Sequence, residues 1–143
     1  MELCDLSALE LTQLLRQKKT SAVEILESTL ERIGSVDGRS GTLDAGPLTE
    51  EDKQKVHAFI TLTDDRALEH AQEIDRKIAG GEDPGPLAGV PFSVKDIFCV
   101  SGTPSTAASR ILANFNAPYT ATAVARMEAA GALMVGKVNL DEF

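Results

Sequence analysis

The sequence predicts an α/β fold, in which an N-terminal helical hairpin precedes strands and helices alternating around a mixed, largely parallel sheet. Three observations predict it. Two serine-led capping boxes open amphipathic patterns within residues 1–36. Apolar, strand-like runs recur at His57–Thr63, Val90–Lys95 and Ala132–Gly136. Helical patterns lie between these runs, and strands that alternate with helices pair mostly in parallel.

The first helix opens at Ser7, with Glu10 at the reciprocal position of a capping box. Leu11, Leu14 and Leu15 give its apolar face, and Lys18 and Lys19 close it where cations suit the dipole. The second opens at Ser21 with Glu24. Ile25, Leu26, Leu30 and Ile33 share one face, and Gly34 is the expected stop. Both faces need a further surface to cover them.

Residues 37–53 contain Gly38, Gly41, Gly46 and Pro47 among polar side chains and read as a flexible insertion. Residues 54–143 hold the strands and helices of the α/β core. His57–Thr63 is the first strand, and Asp64 caps a third helix ending at Gly80-Gly81. Pro91 places the second strand at an edge or a strand start. Residues 97–119 mix Gly, Ser, Thr, Pro and Asn, and their pattern specifies little. A fourth helix from Thr120–Thr122 ends at Gly131, before the third strand.

Composition excludes several classes. The chain has 143 residues, enough for one domain or part of a larger one. Its net charge of −8 and single Tyr, with no Trp, argue against direct nucleic-acid binding. Cys4 and Cys99 form no CxxC pair and read as reduced thiols. His57 and His70 have no metal spacing to a carboxylate or thiol. Asp64-Asp65 reads as charge at a helix N-terminus. With neither a signal-peptide pattern nor a membrane-length apolar run, the expected location is cytoplasmic.

Chemistry concentrates at Lys95. A turn, Gly85–Gly89, feeds an apolar strand that ends on this lysine. An ammonium is costly to bury, and a lysine made neutral by burial can act as a general base toward a hydroxyl nucleophile. On spacing alone, an exposed strand-end lysine paired with Asp96 is the plainer reading. Lys137 follows Val135-Gly136 but lacks the upstream glycine spacing of a phosphate loop, and it reads as a strand-end lysine.

The segment Gly85–Asp96 resembles the opening motif of the amidase signature family. Three later segments agree in order: Gly102–Ser109, Ala117–Val124 and Gly131–Phe143, the last resembling a GA-hydrophobic-GK-x-N-x-DEF strand. Together they cover roughly Leu6 to Phe143. The resemblance implies a layered α/β amidase fold and a Ser–cis-Ser–Lys mechanism, with Lys95 as the base. It places both serines beyond Asp141-Glu142-Phe143. Ser101, Ser105 and Ser109 therefore lie in the wrong segment, and Ser93 is expected to pack or hydrogen-bond.

Within the family, the hairpin, the His57–Ile60 strand and the Asn139–Phe143 ending resemble the tRNA-dependent amidotransferase branch. That implies glutamine as the amide donor and two partner subunits, B and C. It also implies ATP and Mg²⁺ in a partner, tRNA bound mainly through a partner, and Glu-tRNA(Gln) or Asp-tRNA(Asn) as acceptor. No cofactor or metal is expected in this chain. The 143 residues are expected to be inactive alone, marginally stable, and left with an unpaired edge around Leu133–Val135. The alternatives are an amidase of small amides and a non-catalytic assembly module.

Overall fold

The computed structural model describes residues 2–38, 47 and 49–141. After a 3-10 turn at Leu3–Asp5 come α1 (Ala8–Arg16) and α2 (Ala22–Val36). Both capping boxes form: Ser7 accepts from the Glu10 amide at 3.3 Å, and Ser21 from the Glu24 amide at 3.1 Å. The next orphan amides of α2, on Ala22 and Val23, donate to the Asp75 carboxylate at 2.7 and 3.2 Å. Contrary to expectation, α2 runs through Gly34 to Val36. Nothing within 4 Å crowds Gly34, so that turn tolerates it, and the helix ends instead at the buried Asp37.

The expected flexible insertion at 37–53 lies largely outside the described residues. Asp37 anchors its near end by accepting from the amides of Ala58 and Phe59 at 2.6 and 3.1 Å. That contact launches β1 (Phe59–Leu62). His57 lies before the strand with a φ of +54°, and its Nε2 is 2.6 Å from the Asp52 carbonyl. There follow α3 (Asp64–Gly80), β2 (Pro91–Lys95), α4 (Thr122–Ala129) and β3 (Leu133–Val138). Thr63, not Asp64, occupies the N-cap of α3, so Asp64 supplies first-turn charge. The 97–121 segment is a series of turns with a short 3-10 helix at Arg110–Leu112 and a bridge between Pro104 and Asn116.

The sheet order is β1-β3-β2, antiparallel between β1 and β3 and parallel between β2 and β3. The sheet is therefore mixed, with one pair of each kind. β3 is the central strand, which corrects the expected free edge at Leu133–Val135: among the described strands the edges belong to β1 and β2. Leu133 and Val135 face a core built with Leu11, Leu15, Ile25, Leu26, Ala71 and Ile74, so α1, α2 and α3 cover that side. Met134 faces the other way, into a smaller cluster with Val94, Val100 and Val124 of α4. Helices thus lie on both faces, as a strand paired in parallel needs.

Candidate active site

The turn before β2 is held against the α4–β3 junction. Leu87 N donates to Ala130 O at 2.8 Å, Gly89 N to Gly131 O at 3.0 Å, and Leu133 N to Val90 O at 2.8 Å. Gly131 has a φ of +92°, and a Cβ there would sit 2.5 Å from the Pro84 carbonyl oxygen. Only glycine lets these two backbones approach so closely. The crossing sets the start of β2, a five-residue strand that ends at Lys95.

Lys95 is paired with Val138 of β3, and its side chain is 46% exposed. Its ammonium forms an ion pair with Asp141, not with Asp96. The Lys95 hydrogen bond holds the Asp141 carboxyl below the ordinary aspartate range. Ser93, two residues earlier on the same side of β2, is exposed. Of its two expected roles, packing or hydrogen bonding, the exposed position offers no buried packing.

Asp96 points to the opposite side and is fully buried. Its amide extends the ladder to Val138 O at 2.9 Å, and its carbonyl accepts from Ala107 N at 3.3 Å. Carboxylate Oδ2 accepts from Thr106 N at 2.9 Å and Thr106 Oγ1 at 2.5 Å. Oδ1 lies 2.9 Å from the Lys137 ammonium, an ion pair outside hydrogen-bond alignment. The next two residues after Thr106, Ala107 and Ala108, both have left-handed backbones, with φ of +47° and +56°. Such alanines persist only where the surroundings impose them.

Lys137 differs most from its expected place. It is fully buried within the central strand, not displayed at a strand end. Its Nζ lies 2.8 Å from Pro104 O, 2.6 Å from Ser105 Oγ and 2.9 Å from Asp96 Oδ1. Pro104 O and Ser105 Oγ accept hydrogen bonds from the ammonium, and Asp96 Oδ1 supplies its counter-charge. Ser105 therefore accepts from this lysine, so the close Ser–Lys contact activates no hydroxyl.

A bulge explains the orientation of Lys137. Phe92 pairs with Met134 but Ser93 pairs with Gly136, so Val135 is an extra residue on β3. By plain alternation Lys137 would share the face of Leu133 and Val135, which α1, α2 and α3 cover. Past the bulge it pairs with Val94 and points toward Asp96.

The site thus brings Lys95, Asp96, Ser105, Thr106, Lys137 and Asp141 to one end of the sheet. Ser101 is exposed and Ser109 half-buried. Sequence reasoning missed the Asp96–Lys137 pair. Its signal was a lysine inside an apolar run, which demands a buried counter-charge. Among the described residues, Glu2, Cys4 and Asp5 bring metal-ligating atoms within 4.8 Å of one another, but Arg32 already pairs with both carboxylates. No described helix is long and apolar enough to cross a membrane.

Comparison with known proteins agrees with this geometry. The family model described as Amidase matches residues 49–143. The A subunit of glutamyl-tRNA(Gln) amidotransferase from Carboxydothermus hydrogenoformans is 43% identical over the whole chain, which covers 26% of that protein. Its Geotalea daltonii counterpart is 47% identical over the same length, again 26% of the relative. The chain therefore spans about a quarter of the curated relatives it matches. Among solved structures, a bacterial aryl acylamidase superposes with a TM-score of 0.77 at 30% identity, covering 94% of this chain and 25% of that one. The peptide amidase from Stenotrophomonas maltophilia gives 0.77 at 30% identity, covering 96% and 25%. By fold, by the order of its motifs and by the family match over most of its length, this chain belongs to the amidase family.

Proposed function

We propose that these 143 residues are the N-terminal part of a single amidase domain, within the glutamine-hydrolysing subunit of a tRNA-dependent amidotransferase. The observation that carries the reading is Lys95: it ends β2, is half exposed, and has Asp141 as its charged partner. The likeness to the glutamyl-tRNA(Gln) amidotransferase relatives along the whole chain supplies the reaction class.

In that reaction a serine oxygen attacks the side-chain amide of glutamine. Its proton passes through a bridging serine to neutral Lys95. The C–O bond forms, the C–N bond then breaks, and ammonia leaves with a returned proton. Water hydrolyses the acyl-enzyme to glutamate. The two serines belong to sequence beyond these residues. The ammonia would serve conversion of Glu-tRNA(Gln) or Asp-tRNA(Asn) on partner subunits B and C, where ATP and Mg²⁺ act. Before it can accept a proton, Lys95 must both separate from Asp141 and give up one proton to solvent, because an ammonium, paired or free, has no lone pair.

The test is ammonia release from glutamine by the complete protein with its partners. Lys95→Ala is expected to lower kcat at least about 100-fold, the lower range for loss of a general base. The 143-residue chain alone is expected to release none. Undiminished turnover in Lys95→Ala would refute the assignment. The aryl acylamidase and peptide amidase likenesses favour a second reading, hydrolysis of other amides. Faster turnover of anilides or peptide amides than of glutamine would select it.

A further inference from the structure

We infer that Lys137, acting through Asp96, is the positioning residue for Lys95. The inference rests on the proposed role of Lys95 as a base. Asp96 directly follows Lys95 in the chain; its N–H, C=O and Oδ2 are hydrogen-bonded, and its Oδ1 faces the Lys137 ammonium as an ion pair. Its backbone joins β3 and Ala107, and its carboxylate joins Thr106 and Lys137. Lys137 adds Pro104 and Ser105 to the same knot. The end of β2 is therefore tied at one point to the central strand and to the loop through 104–106. Lys95 leaves the sheet from the residue before that knot.

Three features mark this as more than core packing. A buried ion pair is an expensive way to join two strands, since apolar residues of similar volume are often as stabilising. The β3 bulge turns Lys137 toward Asp96 and away from the main core. Ala107 and Ala108 hold left-handed backbones directly beside Thr106, and Ala107 N donates to the Asp96 carbonyl at 3.3 Å. The pair is internally neutral, so it fixes position without adding net charge behind Lys95. Of the elements packed on β2, β3 contributes Lys137 as its charged residue. The charged side chains of α2, Glu24, Glu27, Glu31 and Arg32, are exposed, and Arg32 is held by Glu2 and Asp5.

Two measurements test the inference. In this chain, hydrogen exchange of the Asp96, Thr106 and Ala107 amides is expected to accelerate at least about tenfold in Lys137→Met and in the uncharged pair Asp96→Asn/Lys137→Met, as local opening becomes easier. The Gln17 and Ala22 amides, bonded within the helical hairpin and to α3, should keep their rates. The uncharged double variant guards against a single variant that fails to fold. In the complete, partnered protein, the folded double variant is expected to lose about tenfold or more in kcat, with the KM for glutamine changed less than about threefold, because a misplaced base acts on the reacting step and not on binding. Lys137→Arg, which keeps the charge and donors, should recover part of the loss.

Unchanged exchange at those three amides would overturn the inference. So would a folded double variant with wild-type kcat, which would make the pair purely structural. If Lys95→Ala itself leaves ammonia release intact, the functional reading fails instead, and exchange still reports whether Lys137 holds the end of β2.

Discussion

Lys95 and Lys137 sit on neighbouring parallel strands, one register step apart, and end in opposite environments. Lys95 is 46% exposed and meets Asp141 across water-accessible surface. Lys137 is fully buried with a carboxylate, a hydroxyl and a carbonyl around it. The contrast separates two uses of one side chain. A lysine buried in a dry site between two hydrogen-bond acceptors and a carboxylate is a fixed cation and a structural tie. A lysine with an exposed ammonium and an exposed partner remains available for a reaction. Burial alone would point to Lys137 as the base; its contacts with Pro104, Ser105 and Asp96 favour Lys95 in the proposed reading.

The largest expected effect breaks the buried member of this comparison. Lys137→Ala leaves Asp96 without its counter-charge and should cost about 3–5 kcal/mol of unfolding free energy, read from urea denaturation. Lys95→Met, at an exposed position, should shift stability by no more than about 0.5 kcal/mol. Equal losses in the two variants would erase the distinction.

A smaller effect is expected at the bulge that aims Lys137. A Cβ on Gly136 would lie 2.5 Å from the Thr61 carbonyl oxygen and 2.8 Å from Phe59 Cδ1. Gly136→Ala must push β1 away and should cost about 1–3 kcal/mol, the usual penalty of overpacking. Denaturation showing no loss would mean that β1 yields freely.

The smallest effect concerns the exposed carboxylates. Hydrogen bonds from Ser7 hold Glu10 low, the Ser21 amide holds Glu24 low, and Lys95 does the same for Asp141. Each binds its proton more weakly in the folded chain than in the unfolded one. Their stabilisation is therefore complete above the ordinary glutamate value of 4.5 and the aspartate value of 3.8, and fades as pH falls through the lowered folded values. A Glu10→Gln/Glu24→Gln variant should show a flatter loss of stability below pH 4.5. An unchanged acid slope would show that the capping boxes carry no linkage.

Much of the fold was legible in local pattern. The serine-glutamate spacing located both hairpin helices, and alternating apolar runs located all three strands. The boundary misses were local: α2 passed Gly34 because an exposed glycine costs a helix only about 1 kcal/mol against Ala, and the chain beyond it is anchored at Asp37, which bonds Ile33 O and the Ala58 and Phe59 amides. At the candidate site, Lys95 was legible as the end of a motif-bearing strand. The partners were not. Asp96 and Lys95 are adjacent in sequence, yet strand alternation sends them to opposite faces. Lys137 lies on β3 and Asp141 just beyond it, both distant in sequence from the end of β2. Only the sheet register decides which lysine each carboxylate meets.

The helix starts, the strand identities and the position of Lys95 could thus be read from residue order alone, because capping chemistry and periodicity are local. Tertiary packing was needed to make β3 central and to bury Lys137. It was also needed to give Asp96 to Lys137 and Asp141 to Lys95. The cause is the extra residue at Val135: one bulge reverses the facing of all that follows it on the strand, and no local pattern announces where that bulge will fall.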